Sequence, residues 1–234
     1  MANLTITNND IGDVVLKNAE FRDGTLAAAG AATFLDGTIL ARKAVADAIT
    51  AGAFVGTGDG TVTLATVQPG PIVPLVGAYS LLCVEAVANG GVFNLLDPNG
   101  AVVATGLTLT VGAGATTVFN VAGMEFTVTD GAADFVVGDA APLTVVADGD
   151  LVVYDAAGAG GAQIPSQVLV GETVASGAGD IAVRPLVSGE VIKERLVING
   201  SAAGVGITDA IVDQLRDFSI VALDVQELNG LDNQ

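Results

Sequence analysis

Histidine and tryptophan are absent from this 234-residue chain, cysteine occurs once, and aromatic residues make up 4% of it. Without histidine there is no Ser-His-Asp or Cys-His nucleophile, no imidazole general base and no histidine-bearing metal site. The lone thiol, Cys83 in "YSLLCVEAV", has no partner for an intrachain disulfide and reads as a small buried hydrophobe. Positive charge is also scarce: 8 Lys and Arg stand against 26 Asp and Glu, a formal net charge of −18 at pH 7. Binding to a phosphate backbone needs clustered cations that release counterions, so direct nucleic-acid binding is excluded. Long hydrophobic runs are missing too. The longest apolar region, near 72 to 84, is interrupted by Pro74 and bounded by Glu85, short of the roughly 20 residues of a membrane helix. The opening "MANLTITNND" has no basic segment followed by an apolar stretch, so no secretory signal is expected. These absences predict a soluble protein made in the cytoplasm, with no membrane partner.

Little chemistry is left. Asp148 and Asp150 of "DGD" share one side of an extended segment, a spacing that suits a solvated turn better than a catalytic pair. No segment follows the EF-hand pattern, although Asp-rich turns such as "GTGDG" and "ADGD" offer oxygens for adventitious calcium. The Gly-rich stretches "GAGAT" and "GAGGAQ" lack the Lys-Ser/Thr of a phosphate loop. No catalytic, cofactor-binding or metal-ligating residue is expected, and the chain is not expected to be an enzyme.

What the chain does contain is 31 Gly punctuating short runs of Val, Leu, Thr and Ile, the pattern of strands and tight turns. Its length allows two units. After the strand "GTILARK" (37 to 43), candidate strands run at 61–67, 79–87, 91–97, 101–111, 116–121, 124–130, 134–139 and 142–148, with "DPNG" as a β-turn between the third and fourth of these. Regular short strands of this kind predict an immunoglobulin-like β-sandwich or a small barrel, of which the sandwich is the preferred reading. Further strands are expected at 151–154, 167–170, 181–187 and 190–198. The period then changes. Ile207, Ile211, Leu215 and Phe218 fall at helical spacing, with Thr208 or Asp209 able to cap, so one short amphipathic helix packs on a β layer through Ile211, Leu215 and Phe218. Arg184, Lys193 and Arg195 are expected to pair with neighbours such as Glu190 and Glu194.

All eight basic residues lie outside 44–183. Two flanks that share a composition the middle lacks read as one domain with another inserted in a loop. The expected organisation is an N-terminal arm (1–36), with an edge strand as its alternative, a discontinuous β-rich domain (37–50 and 148–234) and an inserted β-sandwich (51–147). The fold class is mainly β.

The residues "GTILA" at Gly37, Thr38, Leu40 and Ala41, then "GEV" at Gly189, Glu190 and Val191, then Leu215, Arg216 and Ile220, resemble the lambda-type head decoration proteins of tailed bacteriophages. The match covers about 37–45 and 149–222 and departs between 46 and 148, where small family members have a short connection. The resemblance implies a structural virion protein on the outer surface of an expanded capsid, trimeric at three-fold positions, with the major capsid protein as partner. It also implies that the N-terminal arm adds a strand to the capsid, with Leu4, Ile6, Ile11, Val14 and Val15 as contact residues, and that the helix serves the trimer or the core. The rival expectation is a virion surface module contacting host glycans or another virion protein.

Overall fold

The computed structural model describes residues 14–198 and 201–224, which are mainly β with one short α-helix. The chain begins with β1 (Val15–Phe21), β2 (Gly24–Ala28), β3 (Ala32–Phe34), β4 (Ile39–Arg42) and β5 (Thr50–Ala51). There follow β6 (Thr61–Val67), β7 (Gly77–Val87), β8 (Gly90–Leu96), β9 (Val102–Leu109), β10 (Thr116–Val121), β11 (Met124–Thr129) and β12 (Ala140–Val145). The last stretch holds β13 (Leu151–Val153), β14 (Pro165–Val168), β15 (Thr173–Ala175), β16 (Gly179–Val183), β17 (Leu186–Ile192), the helix α1 (Asp209–Asp217) and β18 (Ile220–Leu223). These elements form two compact units. One takes the described residues up to Lys43, Asp150–Ala156 and those from Ala162 onward; the other takes Ala44–Gly149 and Ala157–Gly161.

The first unit is built on one long two-stranded ribbon. Val15 to Phe21 pair with Val191 to Leu186, and Gly24 to Ala28 continue against Val183 to Gly179. The ribbon bends where Arg22 N donates to Pro185 O at 3.2 Å. One half presents β17 to β14 and the other presents β2 to β13, giving the order β1-β17-β14-β4-β13-β2-β16 with β18 beside β17. The central strands are therefore bracketed on both sides by the same ribbon, and the sheet curls into a partly closed barrel. Strand β4 is buried on both faces. Ile39 and Ala41 join the α1 side with Leu186, Leu196, Leu215 and Ile220, while Leu40 joins Leu26, Leu151, Leu169 and Val183. Each fully buried side chain of this size contributes about 1.5–3 kcal/mol.

The second unit is a sandwich of two antiparallel sheets, β10-β11-β6 and β5-β12-β7-β8-β9, around one core. Inward positions alternate as the strand period demands: Met124, Phe126 and Val128 on β11, Tyr79, Leu81 and Cys83 on β7, Phe93 and Leu95 on β8. Phe135 closes one end, 5.1 Å and edge-on from Phe93 and 4.7 Å from Phe54. In the five-stranded sheet β7, β8 and β9 follow one another, and β12 returns after β10 and β11 of the other sheet to lie beside β7. The turn "DPNG" joins β8 to β9 as expected, with Asp97 Oδ1 accepting from the Asn99 and Ala101 amides at 2.9 and 2.8 Å.

Three expectations are corrected. Residues 14–36 are not an arm: β1 and β2 form half of the ribbon and β3 pairs with β15. The inserted unit starts at Ala44 rather than at 51, because Val45 and Ile49 are buried in its core. The stretch 134–139 is not a strand; Phe135 turns into the core while Val136 and Val137 face solvent.

Candidate functional site

Most residues of the resemblance occupy positions with a physical requirement, Arg216 being the exception. Gly37 has φ +84°, and a Cβ there would run into the Arg195 carbonyl, so only glycine lets "GTILA" enter β4. Thr38 is buried and its hydroxyl donates to Leu35 O at 2.7 Å. Gly189, φ +142°, lies where β1 passes close: a Cβ would sit 3.0 Å from Asn18 O and 3.1 Å from Ala19 Cα. Glu190 meets Lys17 at 3.4 Å across the ribbon, and Val191 is fully buried. Ile220 pairs in parallel with Gly189 and shares a core with Leu215. Arg216 is on the surface, 3.2 Å from Asp213.

The helix is capped as its sequence predicts: the Thr208 side chain accepts from the Ile211 amide at 3.4 Å. Ile211 and Leu215 face the core with Val212. Phe218 does not join them. It follows the last helical turn, before Ser219 at φ +65°, and is 42% exposed. Lys193 and Arg184 pair with Asp209 at 3.1 Å and Asp23 at 3.7 Å rather than with their sequence neighbours. Such exposed pairs contribute roughly 0–1 kcal/mol.

Of the proposed capsid contacts, Leu4, Ile6 and Ile11 lie outside the described residues. Val14 and Val15 are corrected. Val14 is fully buried in the core beside α1, and Val15 is paired with Val191 and packed against the same core, so presenting them to a partner would open the barrel. A cleft of about 460 Å³ flanks the helix start, with Tyr154, Asp155, Thr208 and Gln214 on its walls. Burial pushes the Tyr154 phenol above its usual range.

In the second unit the strongest polar feature is Asp139, buried at the sandwich end. Its carboxylate accepts from the amides of Val136 at 2.9 Å, Thr57 at 2.9 Å and Gly58 at 2.8 Å. The Val136 bond, with those from Thr57 and Gly58, holds the carboxyl below the usual carboxylate range against the opposing effect of burial. Asp139 thereby fixes the "GTGDG" loop; a Cβ at Gly56 or Gly58 would meet its oxygens. The buried Asp130 carboxylate has no hydrogen-bond partner among the described residues. Burial raises the Cys83 thiol, which makes it a poor nucleophile. Among the described residues no group of three or more Cys, Asp or Glu is placed to hold a metal ion. Sequence reasoning missed Asp139 because its partners at Thr57 and Gly58 are far away in the chain.

No protein-family model matches the chain, and no curated protein matches it. Among solved structures, the crystal structure of Xanthomonas campestris FlgL is similar at 21% identity and a TM-score of 0.32, over 49% of this chain. The chain spans 34% of that protein's length, and a likeness at this level carries no argument about fold or function.

Proposed function

We propose that this protein is a structural virion component of the lambda-type head decoration class, which binds the outer surface of the expanded capsid as a trimer and braces neighbouring capsid subunits. The observation that supports it is convergence. The matching residues come from stretches separated by a whole inserted unit, yet Gly37, Gly189, Val191, Leu215 and Ile220 build one framework around β4 and β17. The outer edge of β1, which leads back to Leu4, Ile6 and Ile11, is the capsid-facing strand in this reading. Many copies binding only the assembled shell stabilise it by mass action.

The test is cosedimentation of the purified full chain with expanded capsids. Saturable pelleting that is lost on replacing Leu4, Ile6 and Ile11 by Ser is the expected result. No pelleting of the intact chain removes the reading. The glycan alternative is disfavoured because Tyr79, Phe93, Phe119, Phe126 and Phe135 of the inserted unit all point into its core, leaving none of these rings for a sugar to stack on.

A further inference from the structure

Strand β10 is the outer strand of the sheet β10-β11-β6, and its pairing with β11 runs without a register shift from Thr116↔Thr129 to Val121↔Met124. The bond from Asp130 N to Ala115 O fixes the phase of this pairing. By the antiparallel alternation, residues 117, 119 and 121 exchange bonds with β11, and Thr116, Val118 and Asn120 aim their N–H and C=O groups away from the sheet. No backbone hydrogen bond among the described residues takes up these groups. The other sheet's edge approaches β10 just past the end of β9, where Thr110 N donates to Thr117 Oγ1 at 2.9 Å.

An open edge is normally blunted by a charge, a proline or a bulge. The sequence of β10, "TTVFNV", has neither charge nor proline, the pairing has no bulge, and Val118 is 60% exposed. At the far end of the strand, Asn120 and the Ala122-Gly123 turn border a cleft of about 180 Å³ whose other wall is Pro69 to Ile72. Beside it on the sheet's outer face stands Glu125, directly across from Asn120. The second unit carries 9 Asp and Glu, at 47, 59, 85, 97, 125, 130, 134, 139 and 148, and no Lys or Arg.

We infer that β10 is a strand-addition site for an extended, Lys- or Arg-bearing segment of a partner protein. The partner's main chain pairs with Thr116, Val118 and Asn120, one of its side chains enters the cleft beside Asn120, and its cations meet the net negative charge of a unit that carries no Lys or Arg. Main-chain bonds supply affinity and the cleft supplies selectivity. The same charge disfavours a second copy of this chain, since pairing β10 with itself brings two such units together. The inference is independent of capsid binding, which concerns the other unit.

The experiment uses the full chain and short amidated peptides of alternating Lys and Val or Glu and Val, labelled for fluorescence anisotropy, with amide exchange followed by NMR. The Lys-Val peptide is expected to bind, to slow exchange at Thr116, Val118 and Asn120, and to weaken about tenfold or more between low and high salt. Val118→Pro removes only the outward N–H, as an edge strand tolerates, and abolishes binding. Val118→Lys, which keeps that N–H and places a repelling charge on the edge, weakens it and covers the case in which the proline variant fails to fold. Equal binding of the Glu-Val peptide, protection elsewhere, or full binding by Val118→Lys overturns the assignment. So does absence of Lys-Val binding together with a dimer that Val118→Lys dissociates, which would make the edge a self-association site.

Discussion

The unit that holds Asp139 contains no Lys or Arg, and three backbone amides stabilise the charge of its carboxylate. A carboxyl held below its unfolded value of about 3.9 contributes stability that is complete above that pH. The contribution is lost as pH falls from there through the lower folded value. Asp139→Asn removes the charged acceptor, so it should cost about 1.5–3 kcal/mol at neutral pH and flatten the stability profile below about pH 4. Urea unfolding of both proteins from pH 7 downward checks this; parallel profiles would remove Asp139 as the source. Its role was hidden in the sequence because the short apolar run of "DFVVGD" reads as a strand, and the amides it serves at 57 and 58 are distant in the chain. Gly37 was visible as part of a quoted pattern, but its reason, the Arg195 carbonyl beneath it, needed the fold.

At the scale of elements, legibility tracked the range of the interaction. The helix α1 could be read because its period and its Thr208 cap are local, and "DPNG" because a turn is four residues. Phe218 obeyed the same period yet left the core, because the chain turns through Ser219 to start β18. Leu215→Ala should therefore destabilise by about 2–5 kcal/mol, and Phe218→Ala by about 0.5 kcal/mol or less. Thermal melts of the two variants decide between core and surface; a large loss from Phe218→Ala would place it in a contact. The ribbon of β1 and β2 with β16 and β17 was illegible for the opposite reason. Residues 15–28 alternate weakly, and their ribbon partners come at 179–191.

For the whole molecule, the insertion sits where a hairpin turn would be. Arg42 pairs with Leu151, and Lys43 N donates to Asp150 O at 2.9 Å, so the strands entering and leaving the inserted unit already meet. Replacing Ala44–Gly149 by Asn-Gly, the two-residue turn that suits such a pair, should leave the barrel unit folded. Circular dichroism and a cooperative melt of the shortened chain check it; an unfolded product would show that the barrel depends on its insert. The loop Ala157–Gly161 is the one part this cut misassigns. In the intact protein it belongs with the inserted unit, where Gly160 O accepts from Ala44 N at 2.6 Å.

The bent ribbon also sets an order of events during synthesis. Strands β1, β2 and β4 leave the ribosome first, but β1 and β2 must wait for β16 and β17, made on the order of ten seconds later at cellular elongation rates. The sandwich, complete by Gly161, has all its partners in hand before β16 begins at Gly179. The unit that comes second in the chain is thus the first able to fold, and it holds the two halves of the barrel on one tether while the second half is still being made.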